Sequence, residues 1–184
     1  AGGCALVVSD FAADSLSHIL HRESPTLTQR LTIAIQLAEA LHHIHHCDVI
    51  HKDLNPNNIL VRLPASDSAA AIAVQIIDFN LATRLPRELE PALSPDADAS
   101  SSAELRATTA TSPEELWAGR LEGTLAYLSP EQSGRMNRAL DYRTDLYALG
   151  VTLYRLFSGQ LPFPTRDPIE LLYCHIARQP PSLL

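Results

Sequence analysis

Ile50-His51-Lys52-Asp53-Leu54-Asn55-Pro56-Asn57-Asn58-Ile59 is the stretch on which the reading of the chain turns. It sets polar side chains between two apolar runs, Val49-Ile50 and Ile59-Leu60-Val61, which read as short strands. Twenty-five residues after Asp53, Ile77-Asp78-Phe79-Asn80 ends a third β-like run, Val74 to Ile77. Two acids and an asparagine at strand ends are hard oxygen donors suited to a divalent cation. Magnesium takes one or two carboxylates and keeps the rest of its shell for water and phosphate oxygens. In that arrangement Asp53 orients or deprotonates a hydroxyl, and Asn58 and Asp78 hold metal. The same residues also suit ordinary turns, which favour Asp and Asn.

Outward from this centre the pattern becomes helical. Residues 26–46 carry Leu31, Ile35, Ala38, Leu41 and Ile44 at three- and four-residue steps, the predicted inner face of a long helix entered after Pro25. Residues 15–20 predict a short helix, and residues 4–8 a strand followed by a turn at Ser9-Asp10. Residues 145–157 predict a second long helix with Leu146, Leu149, Leu153 and Leu156 inward, stopped by Gly159. A last amphipathic helix spans 168–178 and ends at Pro180-Pro181.

Composition narrows the function. The chain has 184 residues, 14 Lys+Arg against 21 Asp+Glu and a net charge of −7, which argues against a nucleic-acid partner. Lys52 is its single lysine and its seven glycines are scattered, so neither a G-x-x-x-x-G-K-[ST] nor a G-x-G-x-x-G phosphate loop can be written. Cys4, Cys47 and Cys174 form no C-x-x-C pair, and unpaired thiols fit a reducing cytoplasm. No apolar run is long enough to span a membrane, and the opening AGGCALVV lacks the basic start of a signal peptide. Residues 86–115 hold seven acids, two arginines and no aromatic residue, a net charge of −5 that predicts a disordered acidic insert.

The two central strings resemble the H-R-D-x-x-x-x-N catalytic loop and the D-F-G metal motif of protein kinases. Gly123-Thr124-Leu125-Ala126-Tyr127-Leu128-Ser129-Pro130-Glu131 is similar to the G-T-x-x-Y-x-A-P-E end of a kinase activation segment. Asp145-Leu146-Tyr147-Ala148-Leu149-Gly150 is similar to the start of the large central helix. HKDLNPNNIL, SDFAADSL and residues 123–163 resemble, more narrowly, the N-terminal serine/threonine-kinase-like module of multi-sensor hybrid histidine kinases. The resemblance implies an α+β, protein kinase-like fold: a mainly helical C-lobe with short strands, the N-lobe almost entirely absent. It covers residues 1–184 as a partial domain from the hinge onward, with residues 86–115 lying in the activation segment.

Position by position, the resemblance makes Asp53 the catalytic aspartate, Asn58 and Asp78 the magnesium ligands, and Val8 and Asp10 the hinge flanks of ATP. Thr124 falls beside Asp53 in the substrate segment, Asn55 takes the place of a catalytic-loop lysine, and Asp145 braces the loop around His51. His51 itself is expected to pack rather than act as a base. The implied activity is transfer of the ATP γ-phosphate to a protein Ser or Thr hydroxyl. The implied partners are ATP, Mg2+, a protein substrate, and ATPase, sensor and histidine kinase modules downstream in the same polypeptide. The family's Gly-rich loop and ATP-anchoring lysine are not in these residues, so residues 1–184 alone are expected to be inactive. The arginine partner of Glu131 is also missing, which leaves Glu131 without an expected contact.

Three departures keep an alternative open, a pseudokinase that serves as an interaction module. Lys52 replaces Arg and loses its bidentate fork. Asn55 replaces Lys and removes a charge beside the transferred phosphate. Asn80 replaces the Gly of D-F-G, where a positive φ would favour glycine. Two further features suggest sites. His42 and His46, one helical turn apart, could chelate a metal or simply face solvent. Ser94-Pro95 and Ser112-Pro113 bracket six other hydroxyls in the acidic insert, where phosphorylation would add charge and extend the segment. Arg135, Arg138 and Arg143 read as a solvated face.

Overall fold

Residues 27–46 contain neither Gly nor Pro, and a capping box starts them as a helix. Thr26 Oγ1 accepts from Gln29 N at 3.3 Å while Gln29 Oε1 accepts from Thr26 N at 2.8 Å, satisfying orphan donors of the first turn. A computed structural model describes residues 11–22, 24–64, 71–85, 122–134 and 138–183. The expected strand at 4–8, the hinge residues Val8 and Asp10, the acidic insert with its hydroxyls, and Arg135 lie outside the described residues.

The elements follow in order as β1 (Asp14–Ser15), α1 (Leu16–Arg22), α2 (Leu27–His46), β2 (Val49–Ile50), β3 (Ile59–Arg62), β4 (Ala73–Ile76) and β5 (Thr83–Arg84). After the insert come α3 (Glu122–Leu125), a 3-10 turn (Pro130–Ser133), α4 (Arg143–Ser158) and α5 (Pro168–Ala177). Strands β1, β3 and β4 form one antiparallel sheet in that order, with Ile59 opposite Ile76 and Arg62 opposite Ala73. Strands β2 and β5 form a second, two-stranded ribbon. The expected strands at 49–50, 59–61 and 74–77 and the three main helices are found within one or two residues of their predicted ends.

Helix α2 turns inward a face that overlaps only part of the one its spacing suggested: Leu41 and Ile44 pack inward as expected, but the first three turns differ. Ile33, Leu37 and Leu41 are buried, whereas Leu31 and Ile35 are 48% and 58% exposed, and Ala38 is exposed too. The helix is apolar around most of its circumference. Two stripes therefore satisfy the three- and four-residue rule, and packing against β2, β4 and α4 selects one of them. The core joins Leu16, Ile19, Ile33, Leu37, Leu41, Leu54, Ile59, Val61, Ile76, Ala148 and Leu156. Helix α4 departs from expectation at one position: Leu146 is 46% exposed, while Asp145, Ala148, Val151, Thr152 and Leu156 turn inward. Leu149 and Leu153 pack at the core's margin. Among the described residues no helix is long and apolar enough to cross a membrane.

Polar side chains join these elements at their ends. Arg30 of α2 donates to Phe157 O at 2.8 Å, satisfying a carbonyl at the end of α4, and also to Pro25 O at 2.9 Å. Gln36 donates to Ile72 O at 2.8 Å and accepts from Val74 N at 3.0 Å, fastening α2 to the free side of β4. Gly159 ends α4 at φ 77, with its N–H on Arg155 O. Asp167 caps α5 by accepting from Ile169 N and Glu170 N, with Pro168 at the first helical position. Since the buried stripe of α2 carries the core, Leu37→Ala is expected to cost about 2–5 kcal/mol. Ile35→Ala is expected to stay within roughly 0.5 kcal/mol. Urea denaturation of both variants checks the assignment of the face.

Candidate active site

The β2–β3 loop contains a residue in a costly conformation. Lys52 has φ 66, a left-handed value that costs a non-glycine residue roughly 1–2 kcal/mol. What holds it is Asp145 of α4, which is fully buried. Its Oδ2 accepts from His51 N at 2.8 Å and its Oδ1 accepts from Lys52 N at 2.7 Å. Oδ2 also accepts from His45 Nε2 at 2.9 Å. The brace expected of Asp145 is therefore present, together with a histidine partner that the sequence did not reveal. Burial depresses the Lys52 ammonium pKa, partly offset by attraction to Asp145.

His51 is buried completely and links the two motifs. Its Nε2 donates to Ile77 O at 3.0 Å and its Nδ1 accepts from Asp53 N at 3.3 Å, one tautomer satisfying both bonds. Its ring meets Phe79 edge to face at 4.8 Å. On the other side of the loop Ile77 N donates to Asn58 O at 2.9 Å. Asp78 is thus placed by hydrogen bonds to both ends of the loop.

Asp53 and Asn58 are directly joined. Asn58 Nδ2 donates to Asp53 Oδ2 at 3.0 Å and to Asp53 O at 2.9 Å. The Asn58 amide oxygen, the atom a magnesium ion would take, makes neither bond. Asp78 is exposed, with φ 63, and its Oδ1 accepts from Asn80 N at 3.4 Å. The positive φ expected at Asn80 falls on Asp78, and Asn80 is not among the left-handed residues. One amide oxygen and one carboxylate fit a cation that retains water and phosphate oxygens in its shell.

Asn55 is placed differently from the other site residues. It is 2% exposed; its Nδ2 donates to Asp53 O at 3.0 Å and its Oδ1 accepts from Asn57 N at 3.0 Å. Both ends of its amide are engaged within the loop, so it shapes the turn rather than reaching a substrate. Thr124 lies half-buried on α3, where its carbonyl accepts from Tyr127 N at 3.1 Å. The segment after it is tied to the loop by Gln132, whose Nε2 donates to Lys52 O at 2.8 Å. Glu131, expected to lack a contact, accepts from Thr144 Oγ1 at 2.8 Å. Tyr127 is buried and its hydroxyl accepts from Arg155 Nη1 at 2.7 Å. Burial raises the Tyr127 phenol, and Arg155 opposes the shift.

The remaining histidines divide. His42 and His46 stack at 6.1 Å, yet among the described residues no cluster of three or more metal-ligating side chains forms. Arg143 pairs with Asp141 at the surface, and that guanidinium lowers the Asp141 carboxyl. His175 of α5 is buried with Tyr147, whose hydroxyl bonds Nδ1 at 2.7 Å. Burial pushes Tyr147 up to about 12 and lowers His175 to about 4.

The sequence model of the protein kinase domain matches residues 4–180. The chain belongs to the protein kinase family. It is 32% identical over 181 residues to the serine/threonine-protein kinase pkn3 of Myxococcus xanthus, covering 98% of this chain and 28% of that protein. It is 34% identical over 180 residues to pkn2 of the same organism, covering 97% and 18%. To PknB of Mycobacterium tuberculosis it is 29% identical over 167 residues, covering 90% and 22%. The chain thus spans less than a third of the length of these relatives. In this kinase chain residues 51–58, Ile77 and Gln132 share one bonded framework that converges on Asp145.

The site residues missed from sequence were His45, Gln132 and Arg155. His45 lies in a run of four histidines within five positions, and no spacing rule separates it from its neighbours. Two outcomes follow from this framework. Asp145→Ala leaves the His51 and Lys52 N–H groups buried and unpaired, a loss of about 3 kcal/mol readable in urea denaturation. His175 is neutral when folded and binds its proton only below about 4, whereas in the unfolded chain it does so from 6.5. Its stability contribution is therefore complete above pH 6.5 and lost as pH falls toward about 4. Denaturation midpoints at pH 7 and 4.5 should differ less in His175→Gln than in wild type.

Proposed function

We propose that these residues form the catalytic C-lobe of a serine/threonine protein kinase domain, which transfers the ATP γ-phosphate to a protein Ser or Thr hydroxyl. The observation that carries this reading is the Asn58–Asp53 hydrogen bond at 3.0 Å beside Asp78, all three oriented by backbone bonds within one framework. Asn58 holds one Asp53 oxygen and leaves the carboxylate oriented to accept the proton of an incoming hydroxyl. Asp53 needs no shifted acidity for this role, because phosphoryl transfer depends mostly on positioning and charge stabilisation. Asn58 and Asp78 would hold magnesium. When bound, the ion would neutralise charge on the phosphate oxygens.

Val8 and Asp10 flank the adenine contact, and Thr124 orders the substrate near Asp53. Asn55 acts as a positioning residue for the loop. Lys52, the chain's only lysine, stands in the catalytic loop, and on this reading the lysine that anchors ATP belongs to another part of the polypeptide. The strings around residues 51–60 and 123–163 support a place at the head of a hybrid histidine kinase, in the cytoplasm, ahead of ATPase, sensor and histidine kinase modules. Residues 86–115 form the acidic insert of the activation segment.

Asn55 favours a second reading. Its amide is consumed inside the loop, and it carries no charge where the resemblance has a lysine. On that reading the domain is a pseudokinase that relays state by contact. The full-length polypeptide, incubated with labelled ATP and Mg2+, separates the two. A kinase incorporates phosphate on Ser or Thr, and Asp53→Asn or Asp78→Asn lowers the rate by about 10²–10⁴-fold. A contact module incorporates none, and its partner binding is indifferent to both substitutions.

A further inference from the structure

Gln132 touches the catalytic loop and the substrate segment at once. It lies half-buried in the 3-10 turn Pro130–Ser133. Its Oε1 accepts from Ser129 N at 3.1 Å and from Ser129 Oγ at 3.1 Å. The first of these is the return half of a capping box, and Ser129 itself is fully buried. The other end of the amide is left for the loop: Nε2 donates to Lys52 O at 2.8 Å. Only one orientation of this amide works. Turned over, it would set donor against donor at Ser129 N and acceptor against acceptor at the Lys52 carbonyl.

The place where that bond lands gives it consequence. The peptide unit between Lys52 and Asp53 is the one that leads into the Asp53 side chain. Its carbonyl is held by Gln132 Nε2 and its N–H by His51 Nδ1 at 3.3 Å. Lys52 stands at φ 66, and a strained residue persists only where its surroundings over-determine it. Asp145 holds the peptide plane before Lys52, and Gln132 holds the plane after it. Rotation of the second plane displaces Asp53 relative to Asn58, whose Nδ2 bonds both Asp53 O and Asp53 Oδ2. We propose that Gln132 is a positioning residue for phosphoryl transfer: its amide fixes the Lys52–Asp53 peptide plane against the Ser129 backbone, so that the segment receiving the substrate and the carboxylate orienting its hydroxyl move as one body.

The inference rests on the kinase reading for its rate readout, but not for its hydrogen-bond readout. The test uses the full-length polypeptide with two variants. Gln132→Glu keeps the shape and the capping acceptor but loses the donor when ionised; Gln132→Met loses both. Glu should lower kcat by about ten- to a hundred-fold, the scale of a roughly 1 Å misplacement of a reacting group, with the KM for ATP unchanged. A protonated Glu regains one O–H donor, so its rate relative to wild type should recover as pH falls from about 8 to about 6. Hydrogen exchange separates the two ends of the bridge. In Glu the Asp53 amide should quicken while the Ser129 amide stays protected, and in Met both should quicken. Unchanged kcat in Glu, a deficit that does not vary with pH, or an Asp53 amide as slow in both variants as in wild type overturns the proposal. If wild type transfers no phosphate, the kinase reading has failed and amide exchange alone decides. Should neither variant fold, wild-type Gln132 decides by NMR. An Nε2 proton protected from exchange supports the role, and two Nε2 protons that exchange freely refute it.

Discussion

A single buried carboxylate holds this lobe together around its chemistry. Asp145 is inaccessible to water, and an isolated charge there would be strongly disfavoured. It is tolerated because three donors converge on two oxygens: two backbone N–H groups from the loop and one imidazole from α2. The dependence runs both ways. The loop needs the carboxylate to keep a non-glycine residue in the left-handed region, and the carboxylate needs the loop to satisfy it. Helices α2 and α4 are brought together by apolar packing and then fixed in register by this polar crossing at one end and by the Arg30–Phe157 bond at the other.

The site was more legible in the sequence than the packing that supports it. Asp53, Asn58 and Asp78 were singled out by residue type and order, and the backbone bonds of the loop and of Ile77 bring them into one framework. The inward face of α2 was misread because hydrophobic periodicity becomes ambiguous when most of a helix is apolar. Leu31 and Ile35 fitted the pattern, yet Ile33 and Leu37 fill the core. Leu146 was misread for a related reason: on α4 the inward stripe is led by the small or polar residues Thr144, Asp145 and Ala148. Hydrophobicity alone does not rank such residues as core.

Two local expectations were not met. Asn80 was expected to carry a left-handed backbone because it stands where the resemblance has glycine. The chain instead places that conformation at Asp78, where a carboxylate oxygen receives the N–H of Asn80 and supports the turn. Glu131 was expected to lack a contact because its usual partner was sought far along the chain. Thr144 supplies one from the neighbouring helix. At Asn80 the conformation was placed two residues too late; at Glu131 the need for a partner was read correctly and the supplier was not, because hydrogen-bond partners depend on three-dimensional proximity that no spacing rule encodes. His45 belongs to the same class.

Gln36 has a role beyond joining α2 to the sheet. Strand β4 is an edge, and an edge strand ordinarily presents a row of free amides and carbonyls to any extended peptide that drifts by. Here the outward carbonyl of Ile72 and the outward N–H of Val74 are both taken by one side-chain amide, which mimics the pairing of a further strand. Among the described residues the β4 edge of the sheet is thus covered without a proline or a charged residue in the strand itself. An extended peptide arriving at β4 therefore finds the carbonyl of Ile72 and the N–H of Val74 already occupied.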